Sequence, residues 1–149
     1  MKIRAFVFDD DEQVRNVISE LLKERGYEVH GFSEPGICPI YLEQRCPCLL
    51  DHTCADIIIT DINMPYMTGL ELIENQLRNG CKVKNIMVLS GSWTDAQVTY
   101  AKALGCKIFK KPFKIDEFFN WLDECERRLD PKRKLSDWFK HKKGITYSV

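Results

Sequence analysis

The sequence predicts an α/β fold in which a parallel sheet is covered by helices on both faces. Short apolar segments typical of strands alternate along the chain with longer segments whose apolar residues recur at helical spacing. One strand segment contains the uninterrupted triplet Ile57-Ile58-Ile59, which indicates burial on both faces. Strands separated by helices are connected in parallel, and 149 residues suit one domain with a single core.

The first half of the chain contains three predicted strands and one predicted helix. Residues 3–8 form the first strand, and the helix that follows stops at Gly26. Residues 27–32 form a short second strand, and residues 56–60 form the third. The helix is identified by apolar side chains at helical spacing, namely Val14, Val17, Ile18, Leu21 and Leu22.

The second half of the chain continues the alternation. A helix containing Leu70, Ile73 and Leu77 closes at Asn79-Gly80, and residues 83–89 form the fourth strand. The next helix is capped by Thr94 or Asp95. After a short fifth strand, the last helix carries a wide apolar stripe made of Ile115, Phe118, Phe119, Leu122, Cys125 and Leu129.

Composition places the chain among ordinary globular proteins. Hydrophobic residues make up 44% and charged residues 30% of the sequence. The longest apolar runs are too short to cross a bilayer, so we expect no membrane insertion. The N-terminus leads directly into a strand that contains Arg4, which is unlike a signal peptide. We therefore expect the protein to be cytoplasmic.

Charge is unevenly distributed along a chain whose formal net charge is zero. Residues 130–149 hold six lysines and arginines against two aspartates, a net charge of +4, so residues 1–129 carry −4. An acidic main domain favours a cation site and argues against a nucleic-acid ligand. In the basic tail, Leu135, Trp138 and Phe139 predict a short amphipathic helix. We expect it to dock on its own domain rather than face a partner or lipid.

Carboxylates stand at the ends of two predicted strands. Asp9-Asp10-Asp11 follows the first strand, and Asp61 follows the third, directly before a loop containing proline and glycine. Because the carboxyl ends of parallel strands share one edge of the sheet, these carboxylates are expected to meet there. Oxygen ligands of this kind suit Mg²⁺. Asp11 and Glu12 are instead expected to be solvated surface groups or helix caps.

Two further strand ends carry polar groups of other kinds. Ser90-Gly91 follows the fourth strand and Lys110-Lys111-Pro112-Phe113 follows the fifth. An acidic pair, a lone aspartate, a hydroxyl and a lysine, in this order on four strand ends, resemble the receiver domain of two-component response regulators. The resemblance covers residues 1–129, and its matching pieces are Asp9-Asp10, Asp61 with Met64-Pro65-Tyr66-Met67-Thr68-Gly69, Ser90, and Lys111-Pro112-Phe113.

The resemblance implies a fold, a function and partners. The fold is flavodoxin-like, with a doubly wound five-stranded parallel sheet in the order 2-1-3-4-5. The function is that of a phosphorylatable switch that takes a phosphoryl group from a sensor histidine kinase or a phosphotransfer protein. Its output passes through contacts with a downstream protein, and phosphorylation-dependent homodimerisation is one further possibility. Such a domain is no enzyme beyond its own phosphoryl transfer and dephosphorylation.

The resemblance also assigns roles at the strand ends. Asp61 is the phosphoacceptor, and an aspartate carboxylate can act as such a nucleophile. Ser90 donates a hydrogen bond to the phosphoryl group, and Lys111 neutralises its charge. The implied Mg²⁺ is held by Asp10 directly, by Asp9 through water, by Asp61 and by the backbone carbonyl of Asn63.

The switch that transmits phosphorylation is less regular in this sequence. In the family, an aromatic residue three positions before the lysine rotates when the hydroxyl residue moves towards the phosphoryl group. Ile108 occupies that position here, and Phe109 follows it. Either a local shift presents Phe109 in its place or the aromatic rotation is absent.

A cysteine-rich insertion, residues 33–55, stands where the family has a plain second helix. It contains His52 and four of the seven cysteines, Cys38, Cys46, Cys48 and Cys54. An odd number of cysteines without an export signal indicates thiols or metal ligands rather than disulfides. The spacing matches no common zinc pattern, so thiols without metal are the favoured interpretation. The remaining three, Cys81, Cys106 and Cys125, are expected to pack in the core.

Two functions compete with the receiver interpretation. The cysteine-rich insertion could make the protein a metal- or redox-sensing module. An aspartyl-nucleophile phosphatase could use a similar sheet, but such enzymes place a second acid two residues after the nucleophile, where Asn63 stands. The 20-residue tail, residues 130–149, is too short to form a DNA-binding module with its own core.

Overall fold

A computed structural model describes residues 1–33, 52–64, 67–78 and 80–137 of the chain. Its central sheet is parallel and five-stranded, in the order β2-β1-β4-β5-β6. These strands are β1 (Arg4–Phe8), β2 (Glu28–Phe32), β4 (Ile57–Asp61), β5 (Asn85–Ser90) and β6 (Lys107–Lys110). A separate short strand, β3 (His52–Thr53), pairs with β7 (Lys134–Leu135). Counted over the central sheet alone, the order is 2-1-3-4-5, which confirms the predicted flavodoxin-like fold.

The helices in the described ranges begin and end close to the predicted positions. They are α1 (Glu12–Glu24), α2 (Gly69–Arg78), α3 (Asp95–Ala103) and α4 (Ile115–Arg128). Asp11 caps α1 by accepting hydrogen bonds from the backbone of Gln13 and Val14, which is one of the two roles expected for it. Thr94, rather than Asp95, caps α3. Among these helices, none is long and apolar enough to cross a membrane.

Two apolar clusters form the core, one on each face of the sheet. On one face, α1 and α4 cover the sheet with side chains such as Leu22 and Phe118. On the other face, α2 and α3 contribute residues such as Ile73 and Ala101. The middle strand β4 is buried along its whole length, as its run of isoleucines predicted. Because the strands are parallel, the carboxyl ends of β1, β4, β5 and β6 lie at one edge of the sheet, which the helices on its two faces leave exposed.

The opposite edge of the sheet is closed by the start of the basic tail. Arg133 forms a bidentate ion pair with the fully buried carboxylate of Asp56. Arg4, 1% exposed, donates to the backbone oxygen of Ser136 at 3.0 Å and to the Asp137 carboxylate at 2.6 Å. These contacts join residues 133–137 to the core of the domain.

The tail therefore docks, but not as the predicted helix. Leu135 lies in strand β7, whose pairing with β3 continues in a hydrogen bond from the Ser136 amide to the Thr53 carbonyl at 2.8 Å. The helix was wrong at this position because β3 offers a strand edge that the apolar spacing could not reveal. Trp138 and Phe139, on which the helix also depended, lie outside the described residues.

The cysteines that the structure describes are core or partly buried residues. Cys54 and Cys125 are buried, and Cys81 and Cys106 are partly buried. Burial raises the pKa of the Cys106 thiol to about 11 and that of Cys125 to about 12, so both are protonated and unreactive at neutral pH. Core packing is thereby confirmed for Cys125. Cys38, Cys46 and Cys48 lie outside the described residues.

Replacing Arg133 tests whether the tail contributes to the stability of the domain. In Arg133→Ala the buried Asp56 carboxylate loses its charged partner, and we expect the free energy of unfolding to fall by about 3–5 kcal/mol. Denaturant unfolding followed by circular dichroism measures the loss. Lys132→Ala is the matched control, since Lys132 is exposed and its replacement should cost less than about 0.5 kcal/mol. Equal stability of the two variants would contradict the docking.

Candidate functional site

Three carboxylates meet at the carboxyl edge of the sheet. Asp9 and Asp10 directly follow β1, and Asp61 is the last residue of β4, the neighbouring strand. One ligand oxygen from each of the three lies within 4.8 Å of the others. Asp9 and Asp61 are buried, whereas Asp10 is exposed. The structure thus brings together the carboxylates that the sequence predicted to meet.

Asp9 is the most firmly fixed of the three. One of its carboxylate oxygens accepts a hydrogen bond from the backbone of Asp11 at 2.9 Å. The other accepts one from Lys111 Nζ at 3.0 Å. The guanidinium of Arg15 also donates to the Asp9 carbonyl at 2.7 Å. With both carboxylate oxygens engaged, Asp9 is suited to hold an ion through water.

Lys111 is the cation that the structure places among these carboxylates. Its backbone amide donates to the Ser90 carbonyl at 2.8 Å, which fixes the segment after β6 beside the end of β5. Its Nζ atom lies 3.0 Å from Asp9 Oδ2 and 3.3 Å from Asp61 Oδ1. These carboxylates raise the pKa of Lys111 although burial opposes them, so the lysine is charged at neutral pH. The peptide bond between Lys111 and Pro112 is cis.

Asp61 is held in an environment that disfavours its negative charge. Burial raises the pKa of its carboxyl, Lys111 lowers it, and the neighbouring Asp9 and Asp10 raise it again, so that the net shift is upwards. Its Oδ1 atom faces Lys111, and among the described residues no hydrogen-bond donor reaches Oδ2. Asp61 therefore has one oxygen open for a ligand or a reaction.

The donor set fits a hard divalent cation. The Lys111 ammonium group contacts two of the three carboxylates, so a net negative charge remains in a partly buried site. Mg²⁺ takes oxygen ligands, usually one or two carboxylates with several waters. Asp10, being exposed, and the open oxygen of Asp61 can supply such ligands. Asn63 is exposed in the loop directly after β4, and its carbonyl remains a predicted ligand.

Ser90 lies at the same edge, at the end of β5. The neighbouring residue Leu89 pairs with Asp61 across the sheet, and Ser90 is only 1% exposed. Its hydroxyl donates to the Ser92 carbonyl at 2.8 Å and accepts from the Ser92 amide at 3.2 Å. A serine hydroxyl has one proton to donate, and here Ser90 donates it to the loop that follows β5.

The aromatic residue of β6 faces away from Ser90. Phe109 belongs to the cluster under α1 and α4 and stacks on Phe113 with a centroid distance of 6.2 Å. Ile108 points to the opposite face, where it packs against the cluster under α2 and α3. Because side chains alternate along a strand, Ser90 lies on that second face as well. Ile108, not Phe109, therefore lies on the same face of the sheet as Ser90.

Gly69 is a site residue whose structural role the sequence did not show. A Cβ atom at this position would lie 2.2 Å from the backbone oxygen of Asp61 and 2.9 Å from Thr60 Oγ1. Its amide also donates to the Ile62 carbonyl at 2.8 Å. The start of α2 therefore packs directly on the segment that presents Asp61. A glycine closing the loop after a strand-end aspartate was the available signal.

Trp93 is a second residue that the sequence did not single out. It lies in the loop between β5 and α3, and its indole N–H donates to the Phe109 carbonyl at 3.0 Å. An aromatic residue three positions after Ser90 was the signal that the sequence offered. This hydrogen bond links the loop that follows Ser90 to β6, the outermost strand of the central sheet.

The fold and the site together define a class of protein: a doubly wound α/β domain with a candidate cation site at the carboxyl edge of its sheet. The sequence also matches the response regulator receiver domain family over residues 5–123. The chain therefore belongs to the response regulator receiver domain family.

Curated relatives are longer than this chain. It is 29% identical over 129 residues to a two-component response regulator-like protein, PRR37, of Oryza sativa subsp. indica, covering 85% of this chain and 16% of the relative. It is also 29% identical over 143 residues to a protein-glutamate methylesterase/protein-glutamine glutaminase of Hydrogenovibrio crunogenus, covering 92% and 36%. The chain thus spans between about a sixth and about a third of the length of these relatives.

Solved structures share the fold. The chemotaxis protein CheY4 of Vibrio cholerae superposes with a TM-score of 0.65 at 23% identity, covering 84% of this chain and 99% of that one. The receiver domain of the Francisella response regulator 1452 superposes with a TM-score of 0.69 at 20% identity, covering 85% and 98%. These likenesses show the receiver fold.

Adding a methyl group at position 69 should disturb the Asp61 segment. In Gly69→Ala the new Cβ forces the chain apart, and we expect a loss of about 1–3 kcal/mol in the free energy of unfolding. We also expect weaker Mg²⁺ binding, measured by titration. Gly91→Ala is the control, because a Cβ there meets nothing within 4 Å. If the two variants behaved alike, the close packing of α2 on Asp61 would be contradicted.

Removing the Asp61 charge should stabilise the metal-free protein. Because the folded-state pKa of Asp61 is raised, stability is lost as pH rises from the usual aspartate pKa, about 3.9, through that raised value. Without Mg²⁺ at neutral pH, Asp61→Asn should therefore show the higher Tm in thermal unfolding. The difference should vanish at pH values below the usual aspartate range.

Mg²⁺ supplies the control for this prediction. It should raise the Tm of the wild type more than that of Asp61→Asn, because an ion that binds only the folded state stabilises it. A metal-free variant that melts below the wild type at neutral pH would show that the Asp61 charge is not disfavoured.

Proposed function

We propose that the protein is a phosphorylatable switch in which Asp61 accepts a phosphoryl group with the help of Mg²⁺. The observation that carries this proposal is the arrangement around Asp61: two further carboxylates, a lysine bridging two of the three, and one open oxygen on Asp61 itself. Membership of the receiver family supports it.

Phosphoryl transfer requires positioning and charge neutralisation more than a strong nucleophile. The open Oδ2 of Asp61 attacks phosphorus, an Asp61 O–P bond forms, and the bond to the donor breaks with its electron pair. Lys111, already between Asp9 and Asp61, is placed to neutralise the phosphoryl oxygens as a point charge. Mg²⁺ held by Asp9, Asp10, Asp61 and Asn63 would supply further neutralisation.

The partners follow from this role. We propose that a sensor histidine kinase or a phosphotransfer protein in the cytoplasm donates the phosphoryl group, and that the output passes to a downstream protein through surface contacts. Mg²⁺-dependent autodephosphorylation resets the switch, and we propose no other enzymatic activity for this domain. One relative is named as an enzyme, the protein-glutamate methylesterase/protein-glutamine glutaminase of Hydrogenovibrio crunogenus, and this chain matches 36% of its length.

The competing functions gain no support from the described residues. Asn63, an exposed amide, stands where an aspartyl-nucleophile phosphatase places its second acid. A metal or redox role depends on Cys38, Cys46 and Cys48, which lie outside the described residues. Of the thiols that are described, Cys106 and Cys125 have raised pKa values that make them poor metal ligands or sensors.

Phosphorylation by acetyl phosphate tests the proposal directly. With Mg²⁺ present, we expect intact mass spectrometry to show one base-labile phosphoryl group on the wild type and none on Asp61→Asn. Chelation of Mg²⁺ should prevent the modification as well.

Asp11→Asn is the matched control. Asp11 belongs to the same acidic run but caps α1, and asparagine is an equally good cap, so this variant should be modified normally. A phosphoryl group that persists in Asp61→Asn would show that the acceptor lies elsewhere.

A further inference from the structure

The loop after β5 holds the Ser90 hydroxyl in a closed arrangement. Ser90 and Ser92 exchange two hydrogen bonds, of 2.8 Å and 3.2 Å, so the hydroxyl faces its own loop. A serine hydroxyl has one proton to donate. For Ser90 to donate to a phosphoryl oxygen on Asp61, its bond to the Ser92 carbonyl must break. The loop from Gly91 to Trp93 then loses the contact that holds its conformation.

Trp93 connects this loop to the edge strand of the sheet. Its indole N–H donates to the Phe109 carbonyl at 3.0 Å, and its ring packs against the core cluster under α2 and α3. Phe109 lies in β6, which pairs with β5 along one side and has no other neighbour in the central sheet. Any movement of the loop therefore acts on the outermost strand.

The side chains of β6 cannot themselves supply an aromatic on the face of Ser90. Ile108 occupies that face, and Phe109 is held on the other one by its stacking on Phe113. Trp93 packs against the same cluster as Ile108. Trp93 therefore brings an aromatic ring to β6 from the loop that follows Ser90.

We propose that Trp93 is a positioning residue that holds the Ser90 loop in its resting conformation and transmits its movement to β6. The proposal rests on the proposed function, because phosphorylation of Asp61 is what draws Ser90 away from Ser92. When Ser90 turns to the phosphoryl group, the bond from the Trp93 indole to the Phe109 carbonyl breaks and the ring leaves its place beside β6.

The proposal has a thermodynamic consequence. If the Trp93–Phe109 hydrogen bond is made only in the resting state, removing it shifts the population towards the phosphoryl-bound state. Trp93→Phe keeps an aromatic ring but has no N–H. It should bind a phosphoryl analogue about two- to tenfold more tightly, the size expected for one neutral hydrogen bond.

Fluorine NMR on the full chain tests two claims. One is the transmission of loop movement through Trp93 to β6, called the relay below, and the other is the proposed function on which it rests. The three tryptophans are labelled with 5-fluorotryptophan, and their resonances are assigned with the Trp93→Phe, Trp121→Phe and Trp138→Phe variants. Mg²⁺ and beryllofluoride then serve as the phosphoryl analogue, and bound beryllofluoride gives its own fluorine signal. We expect the Trp93 resonance to shift when beryllofluoride saturates the protein. The resonance of Trp121, which lies in α4 and is buried in the other cluster, should stay in place.

The outcomes separate the two claims. A bound-beryllofluoride signal with an unmoved Trp93 resonance would overturn the relay and leave the proposed function standing. Absence of the bound signal in the wild type, where Asp61 is intact, would overturn both. In Ser90→Ala, saturation should no longer displace the Trp93 resonance from its ligand-free position; a displacement equal to that of the wild type would also overturn the relay.

The affinity comparison distinguishes positioning from packing. Trp121→Phe is the matched control, since the same ring change in the other cluster can lower the Tm without touching the loop. Only Trp93→Phe should tighten beryllofluoride binding, measured from the bound fluorine signal during titration. If Trp93→Phe bound beryllofluoride no more tightly than the wild type or Trp121→Phe, Trp93 would be a packing residue alone.

Discussion

The close approach of three carboxylates beside Lys111 is the interaction on which the function proposed for this domain depends. Parallel strands deliver Asp9, Asp10 and Asp61 to one edge, and a single ammonium group only partly offsets their charge. Burial makes the remaining charge costly, as the raised pKa of Asp61 shows. The rest of the sheet must hold these groups together against their repulsion, which a bound divalent cation would offset.

The opposite edge of the sheet holds another buried carboxylate, and there the chain supplies a charged partner for it. Asp56 precedes β4 and is neutralised by Arg133 from the tail, whereas Asp61 at the other end of β4 retains an open oxygen. Of the two carboxylates at the ends of β4, Asp56 is paired with Arg133 through both oxygens, whereas Asp61 is paired with Lys111 through one. This contrast explains why the first residues of the tail are part of the domain and not a free appendage.

The sequence predicted the parts of this structure that follow from local patterns. Strand alternation placed Asp61, Ser90 and Lys111 at one edge, and the candidate cap residues located the start of α3. It could not predict the ion pair of Arg133 and Asp56, 77 positions apart, because no local pattern encodes such a contact. It left the orientation of Phe109 open, since one residue of register decides which face a side chain takes. The tail helix was wrong at Leu135 for a similar reason: the pairing strand β3 lies far away in sequence.

Calorimetric titration with Mg²⁺ at mildly acidic pH, in buffers of different ionisation enthalpy, tests the central claim most directly. If the carboxylate cluster is under-neutralised and Asp61 has a raised pKa, one ion should bind and displace protons from the protein, because metal ligands must be deprotonated. Asp61→Asn should release fewer protons and bind more weakly. Binding without proton release, or with the same release in wild type and variant, would contradict the account.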